Sequence, residues 1–157
     1  MIFGRYGSFS PSDDIFKTIY GRGSVFGGEF RIHVTGGFYA SLEAGYFNKT
    51  GGLTATHEET TMTIYPLDVM AVFQALPGAV SPYIGAGAAI DKYKEENFIG
   101  TTDQWGYGFA ACAGITVRWR SLGIDARIIY TSVNIEQYEV KSALGGLTLS
   151  LGAGIVY

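Results

Sequence analysis

The residues able to do chemistry in this 157-residue chain are few and widely spread. His57 stands beside Glu58 and Glu59, a His/carboxylate set of the kind that moves protons, while His33 stands alone. No serine lies within a few residues of His57 to act as a nucleophile, so catalysis is not the expected use of the set. The single Cys112 excludes an internal disulfide and any multi-cysteine metal site, and reads as a small packed residue. The acidic pairs Asp13-Asp14, Glu58-Glu59 and Glu95-Glu96 offer the oxygen ligands that hard cations prefer, but solvated loop charge is the expected reading of them. Gly21-Arg22-Gly23 and Gly85-Ala86-Gly87 lack the third glycine and the following helix of a dinucleotide fingerprint. No catalytic residue, cofactor or metal ligand is assigned.

A second set of ionisable residues is more orderly. Arg5, Arg31, Arg118 and Arg127, with Glu29, Glu43, Asp68, Asp91 and Asp125, each fall at every-second-residue positions inside apolar runs. The elements that must position them are strands, because only a period of two separates neighbours onto opposite faces. The last stretch shows the code: Leu151, Ala153, Ile155 and Tyr157 share one side, and Ser150, Gly152, Gly154 and Val156 the other. The same code predicts strands over Ile2 to Ser10, Ser24 to Val34, Phe38 to Thr50, Thr60 to Ala75, about Pro82 to Tyr93, Trp105 to Trp119 and Leu122 to Thr131. In the fourth of these, Met62 and Ile64 sit in one phase and Leu67, Val69, Ala71 and Phe73 in the other, so a β-bulge is expected at Pro66 with Met62 and Ile64 facing outward.

Short connections fall at Thr35 to Gly37, Leu76 to Ser81 and Arg120 to Ser121. Longer polar ones are expected over Pro11 to Gly23, Gly51 to Glu59, Glu95 to Gln104 and Gln137 to Gly145. In the first of these, Ser12 is expected to cap a turn of helix that Gly21 stops, its apolar side against a rim or a lipid interface. His33 is expected to face the interior.

Composition sets the solvent. Glycine at 23 residues, aromatics at 15% and charge at only 16% suit a single β domain of many turns. The mean hydropathy of +0.17 is high for a soluble domain. A net charge of -3 without a basic run gives no reason to expect nucleic acid. The uncharged run Val69 to Ile90 is long enough for a membrane helix, but Pro77, Gly78, Pro82, Gly85 and Gly87 break it into strand, turn, strand. The start lacks the basic and apolar regions of an export signal, and the aromatic end leads to the expectation that no domain follows.

The polarity of the faces points to lipid. One face of every strand is nearly all Leu, Ile, Val, Ala and aromatic, and charge collects on the other. Trp105 and Trp119 lie 14 positions apart, roughly 46 Å of strand or roughly 33 Å of height at about 45° tilt, enough to span an apolar band. Trp105, Trp119 and Tyr157 are the expected lipid-facing girdle. The fold predicted over residues 1–157 is all-β: an eight-stranded antiparallel up-and-down transmembrane β-barrel with a polar, side-chain-filled lumen. The four arginines and five carboxylates would pair across that lumen, since unpaired each would cost several kcal/mol.

Pro82-Tyr83-Ile84-Gly85-Ala86-Gly87, Gly4-Arg5-Tyr6-Gly7-Ser8-Phe9-Ser10-Pro11 and the C-terminal Ser150, Gly152, Ile155 and Tyr157 carry a family likeness. Over its whole length the chain resembles the outer membrane protein β-barrel domain, or porin-like, family, whose small members are similar to the OmpA transmembrane domain, OmpX and OmpW. The resemblance implies location in the bacterial outer membrane, with the C-terminal residues as an assembly signal read by the barrel assembly machinery. It implies contact with outer-membrane lipid and lipopolysaccharide, and no single activity. A monomer is expected. A non-enzymatic protein, structural or surface-interacting through its extracellular loops, is the leading expectation. The alternatives are a narrow channel for ions or small solutes gated by the lumen Arg/Glu/Asp network, a lipid-modifying enzyme, and a soluble ligand-binding barrel.

Overall fold

A chain built of strands that are apolar on one face only is stable when its sheet bends until the two edges meet. The computed structural model of the chain describes residues 1–52, 59–76, 78–97, 100–137 and 140–157. Its elements are β1 (Ile2–Pro11), α1 (Asp14–Ile19), β2 (Gly23–Thr35), β3 (Phe38–Gly52), β4 (Glu59–Gln74), β5 (Val80–Asn97), β6 (Gly100–Trp119), β7 (Leu122–Gln137), β8 (Val140–Ala143) and β9 (Gly146–Ile155). From β1 to β7 each strand pairs antiparallel with the next, and β9 pairs with both β7 and β1 to close the ring. β8 covers the far end of β7 from Asn134 to Gln137, and β9 takes over at Thr131. Among the described residues the wall is therefore eight strands round, its last strand broken at Leu144 and Gly145.

Both termini and the tight β2–β3, β4–β5 and β6–β7 connections lie at one end of this barrel, the terminus end. The remaining connections lie at the other, the loop end. Polarity runs inside out. Phe109, Ile124 and Leu149 are 54%, 63% and 56% exposed on the outer wall, whereas Arg127 is 4% exposed inside. Trp105 and Trp119 both face outward, as does Tyr157. This is the reverse of a soluble ligand-binding barrel and the arrangement that a lipid bilayer solvates.

The interior is layered. Toward the terminus end it is ionic, built on Arg5, Glu29, Arg31, Asp125 and Arg127; toward the loop end it is apolar, with Phe47, Met62, Ile64, Tyr93 and Val133 in one cluster. The outward placement expected for Met62 and Ile64 is thus wrong. β4 holds one phase throughout, with Leu67 opposite Ala44 and Ile64 opposite Phe47 in the same register on both sides of Pro66. The proline is accommodated without a bulge. A Cβ on Gly45 would come within 2.9 Å of Pro66 Cγ, so the bare glycine leaves the space that the ring occupies.

Two of the expected loops are largely strand. β5 and β6 stay paired out to Asn97↔Gly100, and the last loop contains β8. Cross-strand contacts such as Lys92 with Asp103 at 3.2 Å keep the ladder going beyond the apolar band, where polar composition conceals it.

The lipid coat has a direct test. Ala111 faces outward midway along β6, between the two tryptophans. Ala111→Arg is expected to destabilise the barrel by about 2–4 kcal/mol in lipid vesicles, read from urea unfolding midpoints.

Candidate functional site

Glu29 on β2 is the hub of the ionic layer. It accepts hydrogen bonds from Arg5 Nε at 3.1 Å and a second Arg5 nitrogen, from Arg31 Nε and Nη2 at 3.0 and 2.8 Å, and from Ser41 Oγ at 2.5 Å. Arg127 Nη1 stands 3.9 Å from it. Asp125 is the second anchor, taking Arg5 Nη1 at 2.8 Å, the Tyr83 hydroxyl at 2.8 Å and Thr116 Oγ1 at 2.6 Å. Arg127 donates to Glu43. Arg31 also lies 4.4 Å over the Tyr83 ring, a cation–π contact that a dry interior strengthens. Glycine makes room: a Cβ on Gly152 would press on Arg5 Cγ at 3.3 Å.

Register explains why so many arginines are needed. Glu29 pairs directly with Glu43 across β2–β3, and Glu43 with Asp68 across β3–β4, so three carboxylates stand side by side. Like charges directly opposite each other destabilise a sheet unless cations intervene. Arg5, Arg31 and Arg127 neutralise Glu29, Glu43 and Asp125. The expected pairing fails for the other three lumen positions. Among the described residues no side chain pairs with Asp68 or Asp91, and the Oδ1 of each is buried without a hydrogen-bond partner. Arg118 is half-buried at the terminus end and donates to Gln74 Oε1 at 2.7 Å. Asp91 is level with Gly106 on β6, 12 residues from Arg118, or roughly 40 Å along the strand, so the two cannot meet.

The loop end is closed by α1. Asp13, not the expected Ser12, caps it: Asp13 Oδ1 accepts the Phe16 N–H at 3.1 Å, and Ser12 Oγ donates to the Gly145 carbonyl at 2.9 Å. Gly21, at φ 63°, stops it. Of the two placements expected for its apolar side, a rim or a lipid interface, the helix takes the rim and turns that side into the barrel mouth. Its Phe16 meets the Tyr93 ring edge-on at 6.1 Å, and Tyr20 is buried. The Tyr20 hydroxyl and Thr60 Oγ1 donate to Glu95 Oε1 at 2.9 and 3.0 Å, and Tyr93 donates to the other oxygen. Glu95 is therefore a clasp and not the solvated charge expected, while Glu96 pairs with Lys94 at 2.5 Å. Burial, and then the Glu95 carboxylate, push the Tyr20 hydroxyl above its ordinary ionisation range, so it stays a donor.

Among the described residues the remaining candidates do not assemble an active site. His33 is exposed at the terminus-end turn, its Nε2 2.8 Å from the Gly36 carbonyl oxygen and not in the lumen as expected, because the wall ends there. Cys112 is buried and unbridged. His57 and Glu58 lie outside the described residues; Glu59 begins β4. Among the described residues no three His, Cys, Asp or Glu side chains gather as metal ligands. Ser150 and Gly152 face inward and Ile155 and Tyr157 outward. Ser41, Tyr83 and Thr116 were legible as inward-phase polar residues; that Thr60, Tyr20 and Glu95 meet was not, since they come from three separate elements.

Glu29→Ala would leave Arg5 and Arg31 without their shared anion, and is expected to cost about 3–5 kcal/mol in denaturant unfolding. Tyr20→Phe is expected to loosen the clasp by about 1 kcal/mol, so that trypsin cuts after Lys17 or Arg22 about fivefold faster in the folded protein.

No family model and no curated protein matches the chain. Solved structures do. Neisserial surface protein A (NspA) aligns over 97% of this chain and 93% of its own at 14% identity, with a TM-score of 0.67. Ail, the attachment invasion locus protein of Yersinia pestis solved with the heparin analogue sucrose octasulfate, aligns over 98% and 94% at 19% identity, TM-score 0.61. The E. coli outer membrane protein W aligns over 99% and 97% at 18% identity, TM-score 0.58. The chain shares with these proteins the fold of the small eight-stranded outer-membrane β-barrel.

Proposed function

We propose that the chain is an integral protein of the bacterial outer membrane, without catalytic activity, whose barrel anchors a binding surface at the loop end. The observation that carries this reading is the doubly closed lumen, an ion-paired layer toward the terminus end and an apolar plug under α1 toward the other. Such an interior holds a wall open to lipid but offers solutes no continuous path. The outer wall would meet lipid, and lipopolysaccharide near the loops. Ser150, Gly152, Ile155 and Tyr157 would be the segment presented to the barrel assembly machinery, and the folded protein would act as a monomer without nucleic acid. That Ail was solved with a heparin analogue supports surface binding as a use of this architecture.

A second reading, a narrow channel gated by the Arg/Glu/Asp network, draws on a cavity of about 60 Å³ between the two layers. Planar-bilayer recording separates the two. The anchor reading expects no stepwise conductance from the wild type, Glu43→Ala or Arg118→Ala, and steps that change with either substitution would establish the channel. Mass spectra of lipid A from cells with and without the protein are expected to coincide; a new mass difference would make it a lipid-modifying enzyme.

A further inference from the structure

Four charged side chains line the cavity between the layers: Arg5, Glu43, Asp68 and Asp91. Arg5 is bonded to Glu29 and Asp125, and Glu43 to Arg127, the arginine whose field also reaches Asp68. Three arginines, Arg5, Arg31 and Arg127, thus balance three carboxylates, Glu29, Glu43 and Asp125. Asp68 and Asp91 remain, 5% and 4% exposed; among the described residues neither side chain has an ion-pair partner, and the Oδ1 of each is buried without a hydrogen bond. From the opposite wall Ser150 on β9, 8% exposed, also lines the cavity, and its Oγ is buried without a partner. Two uncompensated carboxylates and a hydroxyl, all oxygen donors, therefore share one enclosed space.

The geometry points to a divalent cation of the calcium or magnesium class held in this cavity by Asp68, Asp91 and Ser150. Its charge cancels the pair of carboxylates, which otherwise repel each other, with Glu43 adding to the repulsion at Asp68 and the field of Arg127 offsetting only part of it. With two carboxylates instead of three, the ion keeps part of its water, as hard cations do, and a volume of about 60 Å³ admits it with a few waters. Bound there, it ties β4 and β5 to β9 across the lumen and forms a strut above the arginine layer.

The test uses the full chain refolded into detergent free of lipopolysaccharide, in calcium chloride or in chelator. Equilibrium dialysis with radioactive calcium counts the ions, and tryptophan fluorescence follows thermal unfolding. The wild type is expected to take up one calcium per chain and to melt a few degrees higher with it than without. In Asp68→Asn/Asp91→Asn, binding weakens at least tenfold, the melt no longer depends on calcium, and in chelator the variant melts at or above the wild type. Glu96→Gln, at the surface, keeps the wild-type site. A wild type that takes up no calcium, or a double variant that binds as the wild type does, overturns the proposal. Heat-modifiable gel mobility identifies folded protein, and if the double variant fails that check, Asp91→Asn alone is judged by the same outcomes.

Discussion

A charge enclosed by a wall that lipid surrounds has to find its counter-charge inside that wall, because the solvent that would otherwise stabilise it is absent on one side and excluded on the other. Glu29 meets this constraint by gathering Arg5, Arg31 and Ser41 on its two oxygens, with Arg127 close by. The arginines in turn reach Asp125 and Glu43. Strands far apart in the chain, β1, β2, β3 and β7, are thereby tied through the lumen as well as through the ladder. Removing the hub would take from Arg31 the carboxylate it pairs with and leave Arg5 with Asp125 alone.

Space for those long side chains comes from residues that lack them. Gly152 yields to Arg5, and Gly114 yields to Tyr83, whose ring would clash with a Cβ there at 2.5 Å. The glycine-rich inner face is thus the complement of the arginine-rich layer. Beyond it the lumen changes character, and Phe47, Met62, Ile64 and Val133 fill the barrel with carbon up to α1. Both fillings close the bore, one by paired charge and the other by close packing.

At the loop end the same strands continue past the apolar band. There the outward face no longer needs to be greasy, and threonine, lysine and glutamate hold the β5–β6 ladder with cross-strand pairs such as Lys92 with Asp103. The helix returns over the mouth and is fastened by hydroxyl-to-carboxylate bonds at Glu95. Closure at this end relies on a few polar bonds above an apolar seat, and it is weaker than the layer beneath.

Alternation alone determined the strands, the greasy outer wall and which residues turn inward, because a pleated backbone sends successive side chains to opposite sides whatever they later touch. Where that signal conflicted with polarity, at Met62 and Ile64, tertiary structure decided: the lumen near the loops is apolar, so inward residues there are hydrophobic and β4 needs no bulge. Partnership was likewise a tertiary matter. Register sets Glu29, Glu43 and Asp68 side by side, and it holds Arg118 far from Asp91, so nearly equal numbers of opposite charge do not all become pairs. The turning of Ser12 to the Gly145 carbonyl, which leaves the cap to Asp13, and the clasp at Glu95 also lay beyond the sequence, since each joins segments far apart in the chain. A period of two is local and survives any context; distances between strands exist only after the sheet has closed.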